Sequence, residues 1–194
     1  MIPPPPADLV AREPVLDILP RDGELHRFFS AGLNPLYFDR SRLGRFNSPA
    51  ATFGVLYAAK SRRGAFAETF LRSPGSTLIA KDFLARKAYV SLRTRRALRL
   101  IRFAGPGLAR LGATAEVVHG GLPYDVPQAW SAALHAHPAG IDGIAYNARH
   151  DDDELCYAIF SRASGAIQES HRSTNLDDNW FWEIAEVYGV GMAP

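Results

Sequence analysis

The sequence predicts a single α+β domain, and three features point to it. Apolar runs of strand length, Phe53–Ala59 and Leu25–Ser30, are bounded by turn formers. Two further runs, Ile141–Asn147 and Leu155–Ser161, are spaced as the arms of a hairpin. Segments such as Pro127–His137 and Asp177–Tyr188 carry apolar residues at helical spacing. At 194 residues and 47% hydrophobic the chain can bury one sizeable core. The expected organisation is a proline-rich tail over 1–20 and one domain over 21–194 that ends in a docking helix at 177–188.

The elements follow in chain order. Four consecutive prolines in Met1–Ala7 favour extended geometry and lack amide donors, so this stretch reads as a tail or spacer. The turn Arg21-Asp22-Gly23 leads into the strand Leu25–Ser30, with Arg27 on the face of Leu25 and Phe29. A guanidinium there loses hydration, so it either binds a carboxylate, a phosphate or a set of carbonyls, or snorkels to water from a strand end. Asn34–Asn47 is a loop anchored by Tyr37 and Phe38 and closed by Gly44-Arg45-Phe46-Asn47. Arg45 can pair with phosphate, the Asn47 amide can hold a ligand or its own turn, and Arg40, Arg42 and Arg45 can equally form a solvated basic edge.

Phe53–Ala59 reads as a central strand that ends near Tyr57. Ser61 can cap a helix through Ala65–Leu71, in which Glu68 has Gly64, Ala65, Leu71 and Arg72 as helical neighbours. The small residues leave room for a ligand beside the carboxylate, the alternative being an acid on a solvated face. Ser76–Phe103 holds two or three strands, including Ala88–Leu92 and Leu98–Phe103, with Arg93, Arg95, Arg96, Arg99 and Arg102 between and along them. This cluster suits a solvated sheet face. RNA binding would also need interleaved aromatics, and only Tyr89 and Phe103 are near.

Gly105–Gly121 is short helix and turn, and Pro127 starts a helix with Trp130 and Leu134 on one face. His135 and His137, two apart, diverge on a helix and make a poor metal pair. Asp151-Asp152-Asp153-Glu154 lacks a calcium-loop pattern and reads as a solvated connector. The last helix should dock through Trp180, Ile184 and Val187, against its own core or a partner.

Composition narrows the function. A net charge of +2 gives no general case for nucleic acid or membrane, one cysteine excludes an intrachain disulfide, and no run reaches a membrane span; a soluble cytoplasmic protein is the expectation. What stands out is one arginine in an apolar strand (Arg27), one in a Gly-Asn turn (Arg45), a tyrosine ending a buried strand (Tyr57) and a glutamate behind small residues (Glu68). These suit a dinucleotide diphosphate with a reacting sugar. Arginine forks neutralise phosphates, an aromatic ring stacks on a cationic base, and a carboxylate binds a ribose hydroxyl and stabilises the positive charge formed as a glycosidic bond breaks. No metal is needed.

The order His26-Arg27, Pro35-Leu36-Tyr37-Phe38, Gly44-Arg45-Phe46-Asn47, Gly54–Ala59, Ala65-Phe66-Ala67-Glu68 and Gly143-Ile144-Ala145-Tyr146 resembles the RES-domain family, over roughly 25–161. The resemblance implies an ADP-ribosyltransferase-like fold of the diphtheria-toxin type with a central split sheet. It also implies a toxin of a bacterial toxin-antitoxin pair that consumes NAD⁺ with water, phosphate or a protein as acceptor. Arg27 and Glu68 match the family's Arg and Glu. Glu68, Arg27 and Tyr57 are then the expected catalytic residues, and Arg27, Arg45, Tyr57 and Asn147 the expected NAD⁺-binding ones. The family's serine falls on Ala148, with Asn147 or Ser161 as substitutes. The implied partner is a helix-turn-helix antitoxin of Xre type in a hetero-oligomer. The rival class is a nucleic-acid-binding or RNA-cleaving toxin that uses the Arg93–Arg102 cluster.

Overall fold

The computed structural model describes residues 2–73 and 75–194. Eight strands form one sheet: β1 (Leu16–Leu19), β2 (Glu24–Ser30), β3 (Val55–Ala59), β5 (Lys87–Thr94), β6 (Leu98–Arg102), β7 (Gly143–Asn147), β8 (Leu155–Phe160) and β9 (Ile167–Ser173), in the order β1-β6-β7-β8-β3-β2-β5-β9. Among the described residues, β6 and β7 are the only parallel pair of this sheet. A second, two-stranded sheet joins β4 (Leu78–Ile79) to β10 (Gly191–Met192). The helices are α1 (Arg62–Phe70), α2 (Lys81–Ala85), α3 (Pro106–Leu111), α4 (Glu116–His119), α5 (Asp125–His135) and α6 (Asn179–Val187). The hairpin β7–β8, the central strand β3 and the helix capped by Ser61 lie where the sequence predicts them. Ser61 Oγ accepts from Gly64 N at 2.9 Å.

Chain connectivity forces the sheet to curl. From Leu19 to Glu24 the chain can span at most about 18 Å. Its two strands nevertheless sit first and sixth in the sheet, about 24 Å apart if the sheet were flat. The two ends must therefore approach, and the turn between them is tied to β5: Thr94 Oγ1 donates to Pro20 O (2.6 Å) and Asp22 N donates to Thr94 O (2.9 Å). One face of the sheet carries a core of Leu25, Leu56, Val90, Leu92, Leu98, Leu100 and Ile159, joined by Ala163 and Ala166 of the short 3-10 turn Ser161–Ala166. The opposite face packs Val55, Tyr89, Ile101 and Ile144 against α1, α5 and α6.

Two expectations are corrected here, and the solvated face expected of the arginines holds. Residues 2–20 are not a free tail: Leu16–Leu19 pairs with β6, Leu9 is buried, and Trp130 Nε1 donates to Pro3 O at 2.7 Å. Trp130 is fully buried, and its indole N–H takes a carbonyl from the proline run to avoid going unpaired. The final helix docks on its own core with Phe181 and Ala185 fully buried and the expected Trp180 and Ile184 packed beside them, but Val187 is 59% exposed. Phe181 enters an aromatic cluster with Phe66 (5.3 Å) and Phe70 (5.1 Å), which fixes the helix rotation. The arginines of 93–102 are largely paired. Arg96 forks onto Asp142 (2.7 and 2.8 Å), Arg102 meets Asp17 (2.9 Å) and Arg95 donates to Gln168 (2.8 Å). Tyr89 and Phe103 are buried, so no aromatic from either position joins the charges at the surface as RNA binding would need.

Candidate active site

The site begins where the sheet comes apart. β3 pairs with β2 at a single position, His26 opposite Ala59, and at its other end Val55 bridges to Asp39 in the long loop. The loop acts as a wedge between the two strands. Backbone groups of Val55, Tyr57 and Ala59 all face that side, because in an antiparallel strand alternate residues turn their N–H and C=O the same way. Val55 is satisfied by Asp39 (both bonds 2.9 Å), and the Tyr57 carbonyl accepts a side-chain donor instead, Arg27 Nη1 at 2.7 Å. The arginine completes the ladder that the split interrupts.

A cleft of about 460 Å³ opens at this point, a size suited to a cofactor-sized molecule. Arg27, Arg45, Tyr57 and Glu68, which the sequence places far apart, all line it, together with His26, Asp39, Arg72, Tyr124, Tyr146, Arg149 and His150. Four arginines face two carboxylates, so the cleft favours an anionic ligand. Arg27 is the most constrained. Its Nε–H is buried without an acceptor among the described residues, and burial brings the guanidinium down to about 10 despite the opposing charge of Asp39.

The wall opposite is a locked turn. Asn47, fully buried, donates to Asp39 Oδ2 and to Ser41 O (both 2.8 Å), while its Oδ1 accepts from the Tyr57 hydroxyl at 3.0 Å. The same hydroxyl oxygen accepts from Phe46 N at 2.8 Å. Tyr57 thus holds the turn with its oxygen and offers the cleft its ring; burial pushes its pKa up. Arg45 donates to Gly120 O and lies 4.8 Å from the centre of the Tyr124 ring. The turn has no room for a side chain at Gly44, where a Cβ would overlap Asn47 Oδ1 and lie 2.8 Å from the Tyr57 oxygen. Gly44→Ala is therefore expected to cost about 1–3 kcal/mol of stability in urea unfolding.

Asp39 supplies the second support. Burial works against its charge, but hydrogen bonds from Ser41 N, Ser41 Oγ and Asn47, with Arg27 nearby, hold it below the ordinary 3.8. A depressed carboxylate stabilises the fold above its unfolded value and loses that contribution as pH falls through the folded one. The urea midpoint should fall below pH 3.8, and Asp39→Asn should flatten that fall.

Glu68, half-buried on α1, accepts from Arg149 N at 3.0 Å through Oε1; among the described residues Oε2 has no hydrogen-bond partner. The backbone of the β7–β8 turn thus aims one oxygen and leaves the other to the cleft. That turn is bolted in place, with Asp151 meeting Arg63 Nη2 (3.3 Å) and the Tyr188 hydroxyl (2.5 Å) and Glu154 accepting from Ser61 Oγ. Two of the four acids, Asp151 and Glu154, therefore support the site's rim through side-chain partners, while Asp152 and Asp153 are exposed.

Asn147 does not reach the cleft. Its amide donates to Asp152 O at 2.7 Å, because the tight turn needs that bond. Ser161, the other substitute, accepts from Gly54 N at 3.1 Å and is likewise turned away, and Ala148 is fully buried. Hydroxyl-bearing residues that line the cleft, besides Tyr57 with its oxygen held by the turn, are Thr69, Tyr124 and Tyr146.

The family model of the RES domain matches residues 24–180. The chain belongs to the RES-domain family. The RES match covers all the cleft residues named above. The fold is shared with a chain of the crystal structure of the M. tuberculosis MbcT-MbcA toxin-antitoxin complex: the TM-score is 0.70 at 17% identity, over 93% of this chain and 98% of that one. No curated protein matches. The RES domain here has the α+β, ADP-ribosyltransferase-like architecture with the split sheet that the sequence leads one to expect. Among the described residues, no helix is long and apolar enough to cross a membrane.

Sequence reasoning missed several lining residues. Tyr146 sits in the Gly143–Tyr146 motif, yet nothing in its spacing says that its ring, 5.1 Å from Phe46, ends on the cleft. Arg149 and His150 read as part of a polar connector. Arg149 contributes a backbone amide, which carries no residue-specific signal.

Proposed function

We propose that this RES domain cleaves the nicotinamide–ribose bond of NAD⁺ and passes ADP-ribose to an acceptor. The observation that carries the reading is Arg27: a half-buried arginine at the sheet split, its Nε buried with no acceptor among the described residues, lining the same cleft as Glu68. Leaving such a group unpaired costs stability, and costs of this kind cluster at functional sites. Arg27 and Arg45 hold the diphosphate and ribose, Tyr57 walls the nicotinamide with its ring, and the free Glu68 oxygen binds a ribose hydroxyl and stabilises the oxocarbenium-like charge as nicotinamide leaves. NAD⁺ is the substrate, and the roles named need no metal.

The resemblance to RES toxins and the fold shared with a chain of a toxin-antitoxin complex support a growth-arresting toxin, held in check in the cytoplasm by an antitoxin of helix-turn-helix, Xre type in a hetero-oligomer. An antitoxin carboxylate that reaches Arg27 or Arg45 would compete with substrate directly. The test is to incubate the chain with labelled NAD⁺ and cell lysate. Free ADP-ribose points to water as acceptor, its 1-phosphate to phosphate, and label on one protein band to a protein target. Unchanged NAD⁺ contradicts the proposal.

A further inference from the structure

His26 lines the cleft beside Arg27, yet the roles above leave it unused. Its surroundings fix where its proton sits. Ser91 Oγ donates to Glu24 Oε1 at 3.0 Å, which spends the only serine proton. The 2.8 Å contact between Ser91 Oγ and the Tyr89 hydroxyl must then be made by the tyrosine proton. Arg62 Nε donates to the same tyrosine oxygen at 3.2 Å. With its own proton spent, that oxygen can meet His26 Nδ1, 2.6 Å away, only as an acceptor. The proton of a neutral His26 is therefore on Nδ1, and Nε2 carries a lone pair. Among the described residues Nε2 has no hydrogen-bond partner, and it is not one of the fully buried atoms left unpaired.

We infer that His26 is a substrate-contacting specificity residue whose Nε2 lone pair accepts from a neutral N–H or O–H of the bound dinucleotide; this rests on the NAD⁺ reading. A lone pair repels phosphate oxygens, which only accept, so the contact belongs to the carboxamide of the leaving base or to a hydroxyl of its ribose. Neighbouring side chains on a strand point to opposite faces, so Arg27 and His26 serve different parts of the ligand. Tyr89 is the positioning residue, since its oxygen sets the tautomer. Burial keeps His26 below its ordinary 6.5; Arg62 from α1 works with burial, while Glu24 on β2 and Glu154 before β8 oppose it. At neutral pH the ring is uncharged and the lone pair is available.

Nitrogen-15 spectra of histidine in the full-length Glu68→Gln chain, which should bind NAD⁺ without consuming it, test the tautomer directly. A protonated Nδ1 and a bare Nε2 that shifts when NAD⁺ is added are expected. A proton on Nε2, or an Nε2 unmoved while other cleft resonances shift, overturns the inference. No shift at any cleft resonance overturns the NAD⁺ reading and this inference with it.

Turnover gives a second readout. The wild type should use NAD⁺ at least about tenfold better, by kcat/KM, than either nicotinic acid adenine dinucleotide or an analogue lacking a hydroxyl of the nicotinamide ribose. His26→Ala should erase that preference against one of the two, which identifies the donor. His26→Gln, whose amide oxygen can accept, should restore part of it. KM for NAD⁺ should rise in the wild type as pH falls through the His26 value, where protonation turns Nε2 into a donor. If His26→Ala discriminates against both analogues as the wild type does, His26 touches neither donor.

Discussion

Glu68→Gln is expected to lower NAD⁺ turnover at least about 100-fold while the chain stays folded. The amide can still accept the Arg149 N–H that holds Oε1, so the β7–β8 turn keeps its anchor. What the substitution removes is the negative charge beside the ribose as nicotinamide leaves. A preorganised charge of this kind is worth about 10²–10³ in rate, and a hundredfold loss corresponds to about 2.7 kcal/mol of barrier. The loss should fall on kcat more than on KM, since the charge matters most in the transition state. Turnover near the wild-type rate, measured as nicotinamide released, would remove Glu68 from the reaction.

Arg27→Met should separate function from stability. The guanidinium stabilises the split by capping the Tyr57 carbonyl at 2.7 Å, but it does so with a desolvated charge and an Nε–H that has no acceptor. Methionine relieves both costs and leaves one carbonyl short of a donor, and each such unpaired group is worth about 1–3 kcal/mol. The opposing terms are of similar size, so urea unfolding should change by no more than about 1 kcal/mol. NAD⁺ use should nevertheless collapse, by about 100-fold in kcat/KM, because a charged fork on a phosphate is lost. Arg27→Lys keeps the charge without the fork and should fall between. An Arg27→Met chain that unfolds would make the residue a structural strut, and one that keeps its turnover would take it off the substrate.

Much of this site was legible because burial and charge conflict visibly in a sequence. Arg27 between Leu25 and Phe29, and Glu68 behind Gly64 and Ala65, break local rules that a purely structural residue would keep, and both stand in the cleft. The hairpin and the central strand were legible for the opposite reason, that apolar runs and turn formers agree there. Strands β1 and β9 escaped notice because edge strands bury little: Ile167–Ser173 is mostly polar, and Leu16–Leu19 is four residues between prolines. The docking face of α6 was read only in part: Trp180 and Ile184 pack on the core, but its centre is Phe181 and Ala185, because the partner surface is an aromatic cluster from α1 that only the fold assembles, and Val187 falls outside it. Asn147 illustrates a third limit. A polar residue after a strand can serve a ligand or its own turn, and the bond to Asp152 O decides for the turn.

The central claim is that the split between β2 and β3 is where a dinucleotide is held for cleavage. A crystal structure of the Glu68→Gln chain soaked with NAD⁺ tests it most directly. The nicotinamide ribose should lie within hydrogen-bond reach of residue 68, with the diphosphate on Arg27 and Arg45. A dinucleotide bound elsewhere on the chain, or seated in this cleft with its ribose turned away from residue 68, would contradict it.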